Sequence, residues 1–300
     1  MERIKSPITE RFNTKIIKTY KREYFIDLYK PFKIDVSSYF EGNSLVYFVK
    51  CKDTGLKFFY PDTIAGDGIF YEKLQEFDWY YMPWKWEHEK AYNLIKPHSK
   101  VLEIGCAEGH FLHKLKTEKK CDCYGLEINN KAFNIAQEKE IKVYKTPINL
   151  FAQEHKEEFD VICSFQVLEH ISNVKEFLND QIACLKKGGI LIISVPNNNS
   201  FIKYDAYNSL NKPPHHLGLW TKYSLSKLGS FLNIKPSGYY YEPMQKYHID
   251  WFIRILNDKI NKIWGIRTLY FRLKIVYLLK PLIKFCKGHT ILYTFEKTKH

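Results

Sequence analysis

From residue 100 onward, hydrophobic positions alternate between two forms. Unbroken apolar runs occur at 101–104 (VLEI), 159–165 (FDVICSF) and 189–195 (GILIISV), and stretches with apolar residues at helical spacing lie between them. Unbroken runs suit strands buried on both faces, whereas a 3.6-residue period marks an amphipathic helix. The pattern predicts strands over 100–106, 121–128, 141–146, 159–165 and 189–195, with helices over 109–116, 131–140 and 174–185. Asn173 and Glu176 have capping-box spacing for the last helix, and Gly188 and Gly189 are expected to stop it. Thr221 is expected to cap a helix whose Leu225, Leu228 and Leu232 share a face. HTILYTFEK at 289–297 reads as a last strand. Strands separated regularly by helices imply βαβ units and a parallel sheet covered on both faces.

The ends of the chain read differently. Residues 1–80 form an aromatic-rich extension in which VYFVK (46–50) and LKFFY (56–60) flank the turn CKDTG, a hairpin signature. Pro83 suits a first helical turn, with Trp84, His88, Ala91 and Ile95 on one face. Core packing is the favoured reading of that face, although Tyr80, Tyr81, Lys85 and Trp86 lie beside it. Ile249, Phe252, Leu256, Ile260 and Ile263 form a stripe on a basic helix. Gly265 ends it, and a second helix is expected from Thr268 to Lys280 before Pro281. The expected organisation is therefore an extension (1–80), an α/β domain (81–245 and 288–300) and a basic helical insertion (246–287).

Charge and composition narrow the partners. Formal net charge is +13. Residues 244–287 hold ten Lys or Arg against Asp250 and Asp258, a net +8. A field of one sign points to an anionic partner: nucleic acid, lipid headgroups or an acidic glycan. A solvated helix face is the plain alternative. Residues 1–30 carry charges throughout, unlike a signal peptide, and no apolar run reaches the ~20 residues of a membrane span. Seven scattered cysteines fit a reducing cytoplasm better than a disulfide framework. The expected location is cytoplasmic, with peripheral contact to a membrane through 246–287.

The candidate chemistry lies in VLEIGCAEGH, 101–110. Gly105 allows a sharp turn after the first strand and a close ligand approach, and Gly109 does so where a helix begins. A helix start favours an anion, here a phosphate or a carboxylate. A dinucleotide fingerprint needs G-x-G-x-x-G, but Glu103 stands where its first glycine would be. A carboxylate there repels a pyrophosphate and holds a cationic amine. Glu127 closes the next strand, where an acid suits two ribose hydroxyls. A ligand with an amine, a carboxylate and a ribose follows, and S-adenosylmethionine has all three.

VLEIGCAEGHFL, CYGLEIN, EFDVICSFQVLEHI, LKKGGILIISVPN and HHLGLWTKYSLSKL occur in that order. With them, the chain resembles class I S-adenosylmethionine-dependent methyltransferases, in the branch of ubiquinone-type and sugar O-methyltransferases. The resemblance covers roughly 80–245 and 288–297. It implies a Rossmann-like α/β fold with a mostly parallel seven-stranded sheet. It also implies S-adenosylmethionine as cofactor, with Glu103 at the amine and Gly105, Cys106, Ala107 and Gly109 at the methionine portion. Glu127 would hold the ribose, Ile128 would pack on the adenine, Ile148 would face the adenine edge, and Ser164 and Phe165 would sit beside the sulfonium. The family usually has a third glycine where this chain has Ala107.

A hydroxyl acceptor benefits from a positioned base, and His170, His215 and His216 are the candidates. For His170 the favoured reading is a hydrogen bonder that orients its loop. The asparagines of SVPNNNS (194–200) either bind substrate hydroxyls or turn the chain. No metal is expected, because Cys121-x-Cys123 lacks a second pair and reads as one inward and one outward strand residue; Cys51 likewise lacks zinc partners. The expected activity is O-methylation of a hydroxylated small molecule or glycan, in surface polysaccharide biosynthesis. SFQV after the fourth strand, in place of an Asn/Asp-Pro-Pro-aromatic run, argues against a nucleic-acid methyltransferase. A non-catalytic adaptor at a membrane is the remaining alternative, on the strength of Ala107.

Overall fold

The structure, a computed structural model, describes residues 3–77, 82–205, 207–264 and 286–298. In chain order it forms β1 (Thr14–Lys21), α1 (Arg22–Tyr29), β2 (Leu45–Cys51), β3 (Lys57–Tyr60), α2 (Gly68–Gln75) and α3 (Trp86–Leu94). The alternating part follows: β4 (Lys100–Ile104), α4 (His110–Lys119), β5 (Asp122–Leu126), α5 (Asn130–Glu138), β6 (Lys142–Tyr144), α6 (Ile148–Glu154), β7 (Phe159–Phe165), α7 (Val174–Cys184) and β8 (Leu185–Pro196). The chain closes with β9 (Gly218–Leu219), α8 (Lys222–Ser226), β10 (Ile234–Pro243), α9 (Lys246–Trp264) and β11 (Lys287–Lys297).

The main sheet has seven strands in the order β10-β11-β8-β7-β4-β5-β6. β6, β5, β4, β7 and β8 are parallel, whereas β11 and β10 run antiparallel at one edge. Alternate residues feed two cores. Leu102, Ile162, Leu191 and Ile193 pack on the α6–α7 side, and Val101, Val161, Cys163 and Ile192 pack on the side of α3 and α4. The chain builds outward from β4 through β5 to β6, then returns to β7 on the other flank. The carboxyl end of β4 beside β7 is therefore the point where strand order reverses, the place where such sheets bind ligands.

The hairpin of β2 and β3 forms as the turn signature predicts, but it belongs to a four-stranded sheet in the order β1-β2-β3-β9. β9 comes from the segment after His216, so the extension and the α/β part share a sheet. Ile8 and Leu56 lie in the main core, and Leu217 lies in the aromatic core around Phe25, Phe40 and Phe70.

Several local expectations are corrected. Asn173 precedes α7 without a side-chain cap to its backbone; its amide instead donates to the Glu176 carboxylate. Gly188 and Gly189 do not end α7, which stops at Cys184. They lie within β8, where the register against β7 shifts between Phe159 and Val161. The helix expected from Pro83 begins at Trp86. Cys121 and Cys123 share one buried cluster, because positions two apart at a strand face the same side. On α9 the packed face runs through His248, Trp251, Phe252 and Ile255 against Phe201 and Ile202, one residue off the expected stripe. Asp205 explains that rotation: its carboxylate accepts from Trp251 Nε1 at 2.6 Å and from Arg254 at 2.7 Å. Tyr80, Tyr81 and the helix expected at 268–280 lie outside the described residues.

Candidate active site

The turn after β4 is shaped by its own backbone. Gly105, Ala107 and Gly109 have φ of 71°, 46° and 73°, the left-handed region that costs a residue with a Cβ about 1–2 kcal/mol. Gly105 and Cys106 N–H donate to the Leu126 carbonyl at 2.8 and 3.1 Å, and Gly109 N–H donates to the Cys106 carbonyl at 2.8 Å. Ala107 N–H donates to Glu127 Oε2 at 2.8 Å. These four donors are used within the protein. A Cβ on Gly109 would lie 2.8 Å from Ile141 Cδ1 and 3.2 Å from Ala136 Cβ. Its bare face seats the loop on α5. A Cβ on Gly105 would meet Val167 Cγ2 at 2.8 Å.

Two carboxylates flank this turn. Glu103 is 3% exposed, and its Oε2 has no hydrogen-bond partner among the described residues. Burial, then the neighbouring Glu127, pushes it well above the ordinary carboxylate range. Such a group calls for a cation. Glu127, also buried, accepts from Ala107 and from Asn129 N–H at 2.8 Å each. Burial raises it, and these backbone donors partly offset the rise. Ile128 beside it is an exposed apolar side chain, whereas Ile148 is buried in the core. Cys106 is buried, and the Ser164 hydroxyl is buried without a partner among the described residues. Phe165 packs edge-on against Phe111 and His88, each with ring centroids 5.1 Å away.

Beyond β7 and β8 lies a second, more polar region. The rings of His170, His215 and His216 stand 4.4–4.9 Å apart between centroids. Burial holds His170 down to about 4, and it also drives His215 and His216 well below the usual histidine range, so all three are neutral at pH 7. Glu169 is 1% exposed, and burial lifts it to about 8. Across from the trio, Glu242 accepts from Thr290 N–H at 2.9 Å and Tyr247 hydroxyl at 2.8 Å, with His248 and His289 nearby. Burial lifts Glu242 to about 7 and holds His289 at about 3. Gln166, with φ 54°, donates to buried Glu87 at 3.2 Å. The Lys85 ammonium acts electrostatically on His88, Glu169, His170 and His289, and so joins the two halves of this region.

The aromatic extension builds the back of that wall. The Tyr71 ring meets His170 and His215 at 5.3 and 5.8 Å. Tyr29 hydroxyl donates to the carbonyls of Ser209 and Lys212 at 3.1 and 3.2 Å, fixing the segment that leads to His215. Asn198, from the asparagine run, accepts from Asn211 at 2.7 Å, which is turn chemistry. The candidate cofactor residues thus gather at β4–β5 and the three histidines gather beside β7. Sequence reasoning singled out Lys85 beside the helix before β4 but missed Glu87, Gln166, Glu169, Glu242, His248, His289 and Tyr71. Only Glu169 carried a signal, as the neighbour of His170.

A twisted, mostly parallel α/β sheet with a glycine turn and two buried carboxylates at its switch point defines a class of nucleoside-binding enzymes. The methyltransferase-domain family matches residues 79–235, just over half of the chain. The chain belongs to that family and is a class I S-adenosylmethionine-dependent methyltransferase. Its cofactor is S-adenosylmethionine. It is 28% identical over 106 residues to the mitochondrial ubiquinone biosynthesis O-methyltransferase of Dictyostelium discoideum, covering 35% of this chain and 30% of that protein. It is 25% identical over 121 residues to the ubiquinone biosynthesis O-methyltransferase of Psychrobacter arcticus, covering 38% and 47%. The match therefore spans less than half of either relative. The fold is similar to the solved complex of the Haloferax volcanii Trm112 methyltransferase activator with a methyltransferase (TM-score 0.50, 12% identity, 72% of this chain and 90% of that one).

Proposed function

We propose that the protein transfers a methyl group from S-adenosylmethionine to a hydroxyl of a polar, hydroxyl-rich acceptor, a small molecule or glycan such as a sugar of a surface polysaccharide. The observation that carries this reading is the buried polar wall of Glu87, Glu169, Glu242 and the histidine trio beside the candidate cofactor turn. A polar wall, with Glu169 lacking a partner among the described residues, disfavours an apolar occupant and rewards one that supplies hydrogen bonds. The relatives' names support O-methylation, although those proteins are named for ubiquinone biosynthesis. Three buried carboxylates in the acceptor wall disfavour a nucleic-acid backbone.

In this reading Glu103 pairs with the methionine amine, and Glu127 accepts from the ribose hydroxyls while it holds Ala107. Gly105, Cys106 and Gly109 shape the turn around the methionine portion. Ile128 covers the adenine, with the backbone near Ile148 at its edge. Ser164 and Phe165 face the sulfonium, whose positive charge is favoured beside an aromatic ring. Methyl transfer is an in-line displacement at a carbon already activated by the sulfonium, so alignment is the protein's main contribution. The neutral imidazoles of His170, His215 and His216 meet the acceptor hydroxyl; as bare bases, burial has left them weak. The basic stretch 246–287 is read as a contact for an anionic surface. No helix among the described residues is long and apolar enough to cross a membrane.

The test is incubation of purified protein with methyl-labelled cofactor and two acceptor panels, nucleotide sugars with oligosaccharides, and phenols with polyprenylated hydroxybenzoates. A methyl ether on a sugar is the expected product. Label on phenols alone would overturn the acceptor assignment.

A further inference from the structure

Gln166 stands where the two halves of the polar wall meet. It follows Phe165 at the carboxyl end of β7, and its N–H donates to the Ser194 carbonyl of β8 at 2.9 Å. Its backbone reaches the histidine half: burial lowers His170, and hydrogen bonds to the backbone of His215 and then of Gln166 offset part of that fall. Its side chain reaches the other half. Nε2 donates to Glu87 Oε1 of α3 at 3.2 Å and to Thr290 Oγ1 of β11 at 3.4 Å. Thr290 N–H in turn holds Glu242 at 2.9 Å.

These contacts decide which end of the amide is free. An ionised carboxylate only accepts, so the atom beside Glu87 is the NH₂ group, and its two hydrogens have an acceptor each in Glu87 and Thr290. Oε1 has no hydrogen-bond partner among the described residues, and the side chain is half-buried, open to a ligand where Glu87 is sealed. The backbone adds an independent sign. Gln166 has φ 54°. The left-handed region costs a residue with a Cβ about 1–2 kcal/mol, and such strain is held in place at sites of function.

The surroundings explain why an amide stands here. A further carboxylate beside Glu87 and Glu242 would be repelled by both. A lysine or arginine would satisfy Glu87 but offer no acceptor. Glutamine donates to Glu87 and still presents a carbonyl oxygen.

We propose that Gln166 determines specificity: its Oε1 accepts a hydrogen bond from a hydroxyl of the methyl acceptor, with the amide locked in that orientation by Glu87 and Thr290. The inference rests on the methyl-transfer reading above, which sets Phe165 beside the sulfonium and therefore Gln166 beside the acceptor. The selected chemistry is a hydrogen-bond donor. A deoxy acceptor leaves Oε1 unpaired and is rejected on that ground. Glu87 and Thr290 act through Gln166 and are positioning residues.

The experiment uses the full chain and the hydroxylated acceptor that the labelled-cofactor panel identifies, sugar or phenol. Gln166→Met should raise the KM of that acceptor about 5–50-fold, with S-adenosylhomocysteine affinity within about 2-fold. Among acceptors lacking one hydroxyl each, one should lose the same factor with the unaltered chain and nothing further with Gln166→Met. Glu87→Met, which frees the amide to rotate, should raise KM about 2–5-fold and add nothing in the double variant. The lock itself is read without an acceptor. In side-chain amide NMR of the chain with S-adenosylhomocysteine, the signals that Gln166→Met removes should exchange slowly with water. Should Gln166→Met fail to fold, that exchange, assigned by selective labelling, and Glu87→Met still decide. An amide that exchanges as fast as free glutamine, or a KM unchanged in both variants, would overturn the proposal alone. A chain that binds no S-adenosylhomocysteine, or methylates neither panel, would sink the methyl-transfer reading and this proposal with it.

Discussion

The turn after β4 and the histidine wall beside β7 lie on the same end of one sheet, yet they are built in opposite ways. The turn is local: Glu103 to Glu127 spans a single strand–helix–strand unit, and its donors are satisfied within that unit. The wall is gathered from α2, α3, the ends of β7 and β10, the segment before β9, α9 and β11. Among the described residues, the turn leaves Glu103 Oε2 buried without a partner. The wall gathers three buried carboxylates and five histidines, of which His215, His216 and His248 are buried. In the proposed reading a local turn recurs with any acceptor, because its ligand is the invariant cofactor. A wall assembled from distant segments can be varied piece by piece, and that is where specificity can reside.

The sharpest way to separate the two is to disable one and read the other. His170→Ala and His216→Ala should lower kcat by about 10²–10⁴-fold while S-adenosylhomocysteine affinity, measured by calorimetry, stays within about 2-fold. Equal losses of both would dissolve the distinction. Glu103→Gln should act in reverse, weakening S-adenosylhomocysteine about 10–100-fold, the scale of one charge-assisted hydrogen bond. Because burial raises Glu103 well above the ordinary carboxylate range, pairing with a cationic amine should lower it again and release protons. Calorimetry in buffers of different ionisation enthalpy reads that release, and Glu103→Gln should remove it.

A third contrast is in pH. Glu169 rises to about 8 on folding from its ordinary 4.5. The folded state then holds a proton that the unfolded state has lost, so the protein should lose stability as pH rises from about 4.5 through 8. Glu169→Gln should flatten that slope in denaturant titrations, and an unchanged slope would show that Glu169 is not the group responsible. Smaller still, Tyr29→Phe should cost about 1 kcal/mol by removing the hydroxyl that donates to the Ser209 and Lys212 carbonyls, with S-adenosylhomocysteine affinity unchanged. Smallest, Ala107→Gly should relieve the left-handed strain at φ 46° and raise the melting temperature slightly. The gain should stay under about 1 kcal/mol, because glycine also loses more backbone entropy.

The sequence by itself determined the alternating architecture and the turn after β4, because both are written in short range. Apolar runs and helical periods encode which face of each element is buried, and VLEIGCAEGH with YGLE encodes a turn and its two acids within one βαβ unit. Ends of elements were less legible. Gly188 and Gly189 read as a helix stop because a glycine pair does so in isolation, whereas pairing with β7 and β11 drew them into β8. Only the tertiary structure decided that the aromatic extension shares a sheet with β9, that Tyr71 backs His170, and that Glu169 is buried without a partner among the described residues. Those facts depend on contacts between residues far apart in the chain, set by how separate faces bury one another, and no local period records them.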